Sequence, residues 1–200
     1  MGSVLSTGPY IFVRKVGEYM ELIHYGVLGM KWGVRKDRGN TIFVSGSSKT
    51  QDKNSGYYRR GLNKDIRNEL KKSMRNNDLI VVGDAPGIDR QVQDYLNKKR
   101  YKNVEVYGPG TQVRYTANKK WKTNPIDAPE YEKGSKEWLA KKDIMMTKVS
   151  DIGLAIVLDE GAKATRKNVE RLIEQNKDVK VYELSSKGKK FDRFIDKYSV

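Results

Sequence analysis

The sequence predicts an α/β domain of three layers, with a mainly parallel sheet of about five strands, preceded by a short irregular N-terminal segment. Two observations predict this fold. From Thr41 onward, short apolar runs of strand character alternate with amphipathic stretches of helical period. A chain of 200 residues also has room for one such domain and some extra chain. Strands that alternate with helices pair in parallel through right-handed crossovers.

The predicted strands are short runs rich in apolar and β-branched residues, of which 152–158 is the most apolar. They are 41–44, 78–82, 103–107, 152–158 and 179–184. Between them, apolar residues three or four positions apart indicate amphipathic helices. Two series show this spacing clearly: Leu62, Ile66, Leu70 and Met74, then Ile88, Val92, Tyr95 and Leu96. Further helices are predicted near 138–149 and 169–173.

Three stretches depart from this alternation. Residues 1–39 hold glycines and aromatics without a sustained period, so we predict that the α/β domain spans 40–200. Residues 108–134, with several prolines and glycines, predict a long loop, which in a compact domain usually has a function or is disordered. The tail from Ser186 has the apolar spacing of a C-terminal amphipathic helix.

Composition excludes several classes of protein. The chain has 40 Lys and Arg against 25 Asp and Glu, a net charge of +15, which favours a phosphate-bearing partner without choosing one. With no cysteine and a single histidine, His24, disulfide scaffolds, thiol catalysis and cysteine-ligated zinc are excluded, and we predict no metal site. No apolar run has the length of a membrane helix and no signal peptide is recognisable, so we expect a cytoplasmic protein without a membrane partner.

Three loops that follow predicted strands have the composition of a ligand site. In open parallel sheets, ligands bind beyond the carboxyl ends of the strands, where helix N-termini present free N–H groups. Small residues let the backbone approach such a ligand, and hydroxyls can donate to phosphate or ribose. Ordinary turns, with Asp84 and Asp159 as helix caps, are the alternative. The predicted ligand-binding residues are Ser45, Gly46, Ser47 and Ser48, then Gly83, Asp84, Pro86, Gly87, Asp89 and Arg90, then Asp143, Asp159, Gly161, Thr165 and Asn168.

Two common phosphate-binding fingerprints are missing. The sequence has neither the G-x-x-x-x-G-K-[ST] spacing of a P-loop nor the G-x-G-x-x-G fingerprint of dinucleotide-binding domains. An ATPase is therefore disfavoured, and no definite cofactor is predicted. The three loops together still predict a cleft for a nucleotide-like molecule.

The order of several motifs carries a resemblance to a known family. The chain has S-G-S at 45–47, D-x-x-V-x-G-D-A-P-G-I-D-R at 78–90, N-V-E-V-Y-G at 103–108, K-D-x-x-M at 142–146 and A-T-R-K-N at 164–168. Over roughly residues 41–184 this pattern resembles the YspA-type branch of the SLOG superfamily, which also includes the DprA and lonely-guy families. The resemblance implies a Rossmann-like sheet that binds a nucleotide or nucleotide-derived ligand. It also implies a protein of the kind proposed to act as sensors in bacterial conflict systems.

Two positions depart from the resembled families. Ala164 stands where a glycine is usual, and Asn168 stands where lonely-guy enzymes carry the glutamate of N-glycosidic cleavage. An amide cannot transfer a proton near neutral pH, so the glycosidase interpretation is weakened.

Two carboxylates remain as candidate catalytic residues for acid–base work on a nucleotide. Asp89 falls in the first turn of its predicted helix, where the helix dipole favours the ionised form and suits a ribose-hydroxyl acceptor. Asp143 follows Lys141 and Lys142, and a solvated ion pair is the alternative role for it. An N-glycosidase or phosphoribohydrolase-like activity on nucleotides is therefore the alternative to ligand binding alone.

A second alternative is weak nucleic-acid binding. Residues 114–122 interleave cations with aromatic rings, including Tyr115 and Trp121, as single-strand-binding surfaces do. The same stretch also has the composition of a lid over the cleft or of a solvated loop. The basic side of the predicted helix at 61–75 is more typical of a solvated face than of a nucleic-acid footprint.

Residues 24–35, H-Y-G-V-L-G-M-K-W-G-V-R, resemble an element that recurs in otherwise unrelated proteins of phages and prophages. Its glycines and large side chains are typical of a compact peptide that docks into a groove. We therefore expect residues 21–36 to contact a phage structural or host protein. The leading hypothesis is a phage-encoded protein that senses or sequesters a signalling nucleotide in the host cytoplasm, with association with the virion and self-association left open.

Overall fold

The computed structural model describes residues 10–16, 19–25, 39–48, 62–158, 162–184 and 191–193. The chain divides into two compact units, Met1–Asp37 and Arg38–Val200. In the first unit, strands β1 (Tyr10–Val16) and β2 (Tyr19–Tyr25) form an antiparallel two-stranded sheet. The irregular structure predicted for this segment is wrong at these residues. Neither strand alternates strictly between polar and apolar residues. The sequence therefore lacks the two-residue period that would have indicated these strands.

The second unit is built on a seven-stranded sheet with the order β6-β5-β4-β3-β7-β8-β9. Six strands are parallel, and the short edge strand β9 runs antiparallel to β8. The strands are β3 (Thr41–Gly46), β4 (Leu79–Gly83), β5 (Val104–Pro109), β6 (Lys122–Ile126), β7 (Ile152–Val157), β8 (Asp178–Leu184) and β9 (Phe191–Arg193). The predicted α/β class with a mainly parallel sheet is confirmed, and the five predicted strands are all present.

Two strands of the seven-stranded sheet were not predicted. Strand β6 lies inside the stretch 108–134 that was predicted as a loop. Its sequence, K-T-N-P-I, carries no apolar signal because the strand lies at the sheet edge, where proline and exposed polar residues are tolerated. Strand β9 replaces part of the predicted C-terminal helix at 191–193, since its backbone pairs with β8. The rest of that predicted helix lies outside the described residues.

Helices cover both faces of the sheet and give the expected three layers. They are α1 (Lys64–Arg75), α2 (Ile88–Lys98), α3 (Lys136–Val149) and α4 (Lys163–Glu174). Successive strand residues point to opposite faces. Buried residues such as Val44 and Val82 pack with α1 and α2, whereas Phe43 and Val81 pack with the α3 and α4 residues Met146 and Leu172.

The strand order places a crevice between β3 and β7. From β3 the chain moves through β4 and β5 to β6, then returns to β7 on the other side of β3. The crossovers that follow β3 and β7 therefore run to opposite faces, and their loops diverge at the carboxyl ends of these two strands. This arrangement is the topological switch point at which open α/β sheets bind ligands. Among the described residues, no helix has both the length and the apolar character needed to cross a membrane.

Candidate functional site

A cavity of about 130 Å³ lies at the switch point, beyond the carboxyl ends of β3 and β7. The loop after β3, the turn before α2, the middle of α3 and the first turns of α4 all contribute to its wall. Eight of the predicted ligand-binding residues line it: Ser45, Gly46, Ser47, Ser48, Asp89, Asp143, Thr165 and Asn168. Residues from four parts of the chain thus meet at one edge of the sheet.

Seven predicted residues are not in this lining. Asp159 and Gly161 lie outside the described residues, and the other five lie between the last residue of β4 and the first turn of α2. Of these, Pro86 is exposed in the turn, and Arg90 is exposed on α2 with its guanidinium carbon 4.3 Å from the centre of the Tyr115 ring. The remaining three, Gly83, Asp84 and Gly87, have structural contacts of their own.

Asp84 holds a loop instead of facing the cavity. Its carboxylate accepts from Arg114 at Nη2 (2.5 Å), at Nε (3.0 Å) and at the backbone N–H (2.8 Å). The side chain of Asp84 is fully buried, whereas that of Arg114 is 46% exposed. These three bonds use both carboxylate oxygens, so Asp84 anchors the segment after β5 to the end of β4.

Gly83 and Gly87 allow close approaches beside the cavity. A Cβ atom on Gly83 would lie 2.2 Å from Asp89 Oδ2 and 3.0 Å from Lys142 Nζ. Gly87 precedes α2 with φ of +92°, and a Cβ there would lie 2.5 Å from the carbonyl oxygens of Ser47 and Ser48. Both glycines therefore shape the site without lining it.

Three polar side chains of the lining are held by hydrogen bonds across the crevice. Ser47 Oγ accepts from the backbone N–H of Leu158 at 3.0 Å, which ties the loop after β3 to the end of β7. Asn168 Nδ2 donates to Ser45 Oγ at 3.0 Å, while its Oδ1 accepts from Arg171 at 2.7 Å. Asn168 is therefore a positioning residue that fixes Ser45, a role for which an amide is suited.

The cavity wall holds a buried cluster of three ionisable groups. Lys142 Nζ lies 2.5 Å from Asp143 Oδ1, and these two side chains are only 8% and 12% exposed. Asp89 is 6% exposed and accepts a backbone hydrogen bond from Ala85 at 3.3 Å. The solvated ion pair considered for Asp143 is wrong, because the pair lies inside the domain.

Burial changes the protonation of this cluster. Desolvation is the main cause that raises the pKa of Asp89 from 3.8 to about 7, with help from Asp143, while Lys142 opposes the rise. Burial alone would lower the pKa of Lys142, but the Asp143 and Asp89 carboxylates outweigh it, so the pKa of Lys142 is raised. The helix dipole alone predicts an ionised Asp89. With a pKa of about 7, Asp89 is mainly ionised only above neutral pH, because burial opposes the charged form.

We expect the substitution Asp89→Asn to stabilise the domain at about pH 8. Because the pKa of Asp89 rises from 3.8 to about 7 on folding, ionised Asp89 costs on the order of 4 kcal/mol of folding free energy above pH 7. That cost shrinks as the pH falls toward 4, since the folded state then takes up the proton. Chemical unfolding across this pH range measures the difference. A variant less stable than the wild type at about pH 8 would contradict the assignment.

Six lining residues were not predicted as ligand-binding, and one of them is charged. They are Phe43, Ala85, Lys142, Met146, Ala162 and Ala164. Lys142 and Met146 are four residues apart and therefore lie on one face of α3. A helical projection of the K-D-x-x-M motif would have placed both residues on that face. The apolar residues carry no comparable signal, because nothing distinguishes them from ordinary core residues.

The residues at 114–122 do not form the expected stacking surface. Trp121 is 5% exposed and donates from Nε1 to the carbonyl of Tyr101 at 3.0 Å. The Tyr115 ring is covered by Arg90, and its hydroxyl donates to Asp94 at 2.5 Å. With Arg114 bound to Asp84, the aromatic part of the nucleic-acid hypothesis is wrong for this segment.

Comparison with known proteins finds similarity near the N-terminus. A family of unknown function, DUF7211, matches residues 19–39. This match contains the element at 24–35 and ends before β3, so it includes no part of the cavity. No curated protein and no solved structure matches the chain.

Proposed function

We propose that the cavity binds a nucleotide or a nucleotide-derived ligand, as the resemblance to SLOG-type proteins implies. The observation that supports this proposal is the meeting of the serine-rich loop after β3, the start of α2, the middle of α3 and an uncapped helix N-terminus at the switch point of a parallel sheet. Such crevices bind ligands in open α/β proteins. In this proposal Ser45, Ser47 and Thr165 offer hydroxyls, and α4 provides an anion site.

The start of α4 suits the phosphate of such a ligand. The helix begins after Ala162 without a side-chain cap, and its first turn has no acidic residue. Ala162, Ala164 and Thr165 line the cavity, so unpaired N–H groups and the positive end of the helix dipole favour an anion there. The start of α2 differs, because Asp89 occupies its first turn. A ligand with an anionic end and a neutral, hydroxyl-bearing end fits this asymmetry.

The size of the cavity limits how much of the ligand it encloses. An engineered protein cavity of about 150 Å³ holds one benzene molecule. The cavity here, of about 130 Å³, therefore encloses one ring or one sugar and leaves the rest of a nucleotide in the open mouth. In this proposal the protein senses or sequesters a nucleotide that the cavity encloses only in part.

Titration of the full chain with ADP-ribose, cyclic nucleotides and nucleoside monophosphates tests the proposal. We expect calorimetric binding and a raised melting temperature with at least one of them. Ala164→Glu places a carboxylate in the first turn of α4, where it suits the helix but repels an anion, so it is expected to weaken binding roughly 100-fold. Lys163→Glu, in the same turn but outside the lining, is the control and should weaken binding less. Absence of binding by the folded protein would refute the proposal.

We also propose that the chain is phage-encoded and that residues 21–36 contact a phage structural or host protein. The match of DUF7211 to residues 19–39 supports only the recurrence of this segment in other proteins. A synthetic peptide of residues 21–36 should compete with the full chain for such a partner. A partner captured equally well by a chain that lacks residues 21–36 would contradict this role.

A second candidate function is hydrolysis of the N-glycosidic bond of a nucleotide. The buried carboxyl of Asp89, with a pKa of about 7, supports it, because a general acid works best with a pKa near the working pH. In this reaction the N-glycosidic bond breaks as Asp89 gives its proton to the leaving base, water forms a new C–O bond at the anomeric carbon, and the proton that the water loses restores the Asp89 carboxyl. Release of free base from nucleoside monophosphates, lost in Asp89→Asn or Asp143→Asn but kept in the exposed control Asp65→Asn, would support it. A protein that binds nucleotides without turnover would exclude it.

A further inference from the structure

We infer that a basic surface at the opposite edge of the sheet binds the phosphate backbone of duplex nucleic acid. This surface, the amino-edge surface, consists of residues 71–77, 97–103 and 117–120. They lie before β4, β5 and β6, at the amino ends of these strands. The cavity lies at the carboxyl ends, so this inference is independent of the nucleotide proposal.

Hydrogen bonds join the first two segments of the amino-edge surface. Tyr101 donates from its hydroxyl to the carbonyl of Asp78, the buried residue that follows the first segment, at 2.5 Å. Asn103 donates from Nδ2 to the carbonyl of Asn77 at 3.0 Å. The turn after α1 and the turn after α2 are therefore in direct contact.

The third segment is bound to the second in the same way. Asn97 Nδ2 donates to the carbonyl of Ala117 at 2.9 Å, and Asn118 Nδ2 donates to Asn97 Oδ1 at 3.2 Å. Trp121, the residue that follows this segment, donates to the carbonyl of Tyr101. Because of these contacts, three stretches that are far apart in sequence form one continuous surface.

The charge of the amino-edge surface has one sign. Its three segments contain no Asp or Glu, and none of the ion pairs within the described part of the chain uses its basic side chains. Nine exposed cations belong to it: Lys71, Lys72, Arg75, Lys98, Lys99, Arg100, Lys102, Lys119 and Lys120.

Helix dipoles explain only part of this charge. Cations in the last turns of α1 and α2 complement the carboxyl ends of the helices. Lys102, Lys119 and Lys120 lie outside both helices, so the helix dipoles do not explain their positions. Like charges held together on one surface repel one another, and a polyanion relieves that repulsion. The basic side of α1 is therefore one part of the amino-edge surface, a larger basic region than the sequence of α1 alone indicates.

The side chains present favour a nucleic-acid backbone over other polyanions. The large exposed hydrophobic residues of the described chain are Tyr131, Leu139 and Val149, and none belongs to this surface. A membrane-binding surface inserts apolar groups, and protein interfaces are centred on aromatic anchors. Single-strand binding needs exposed rings, but Trp121 is buried. Cations without exposed rings fit the regular phosphates of a duplex, bound without base readout.

Fluorescence anisotropy with short labelled DNA duplexes of two unrelated sequences tests this inference on the full chain. We expect equal affinity for both sequences and a steep loss of affinity with salt, with a log–log slope of roughly −4 to −6. The variant Lys72→Gln/Lys98→Gln/Lys119→Gln removes one exposed cation from each segment. Its affinity should fall at least about tenfold, and its salt slope should become shallower by about 3.

The control variant is Lys133→Gln/Lys136→Gln/Lys167→Gln, which loses the same charge at exposed positions outside the amino-edge surface. It should retain the affinity of the wild type. Its salt slope should change by no more than about 1, the value of one phosphate contact. An equal loss in both triple variants would overturn the inference, because binding would then follow net charge alone. Tighter binding to anionic phospholipid vesicles or to single strands than to the duplex would overturn it as well.

Discussion

Replacing Gly87 with alanine is expected to destabilise the α/β domain by roughly 3–5 kcal/mol, because two independent costs add. The first is backbone strain, since Gly87 has φ of +92° and ψ of −127°, a region that residues with a Cβ atom avoid. The second is steric. The new Cβ would lie 2.5 Å from the carbonyl oxygens of Ser47 and Ser48, and backbone atoms cannot move aside cheaply.

The same substitution should also disrupt the cavity. Gly87 packs the start of α2 against the loop after β3, and the next residue, Ile88, donates its N–H to the carbonyl of Ser47 at 3.1 Å. Separating these segments moves Asp89 and Ser47, which both line the cavity. We therefore expect Gly87→Ala to lose the proposed nucleotide binding even at temperatures where the domain remains folded.

A second glycine of the chain separates the two costs. Gly134 has nearly the same φ, +91°, but a Cβ there would meet no atom within 4 Å. Gly134→Ala should therefore cost only the conformational strain, roughly 1–2 kcal/mol. Chemical unfolding of both variants measures the difference. Equal losses at the two positions would show that the contact with the loop after β3 contributes nothing to stability.

Gly87 also illustrates why much of the fold and part of the site were predictable from the sequence. A glycine between an apolar strand and an amphipathic helix is a local signal, and five strands and four helices have local signals of this kind. Parallel strands share one carboxyl edge, so polar residues such as Ser45 and Asp89 were expected to meet there. Order along the chain and parallel pairing suffice for that expectation.

Features that depend on distant partners were not predictable in this way. Strand β6 forms through backbone pairing with β5 at an edge where side chains give no signal. The protonation of Asp89 depends on burial by elements far from it in sequence. From its local sequence Asp84 was predicted to bind a ligand, but Arg114, thirty residues away, donates hydrogen bonds to both of its carboxylate oxygens. In each case the deciding contact is non-local, and composition and periodicity describe only local preference.

Removing the charge of Lys142 is expected to have the other large effect. In Lys142→Met, the carboxylates of Asp143 and Asp89 remain buried without a cation, and breaking a buried pair of this kind costs about 3–5 kcal/mol. The pKa of Lys142 is raised in the folded state, so the wild-type lysine stays charged and gives its full stabilisation throughout the neutral range. The loss should be greatest above pH 7, where Asp89 is ionised, and smaller below it.

A compensating variant distinguishes charge from packing. Lys142→Met/Asp143→Asn removes both members of the ion pair, and we expect it to recover most of the stability lost in the single variant below pH 7, where Asp89 is protonated and no uncompensated charge remains. Lys136→Met, exposed on the same helix, is the control and should stay within about 0.5 kcal/mol of the wild type. Chemical unfolding above and below pH 7 measures all three variants. If the double variant were as unstable as Lys142→Met below pH 7, the lysine would stabilise the domain by filling space, and the charge balance of the cavity wall would not depend on it.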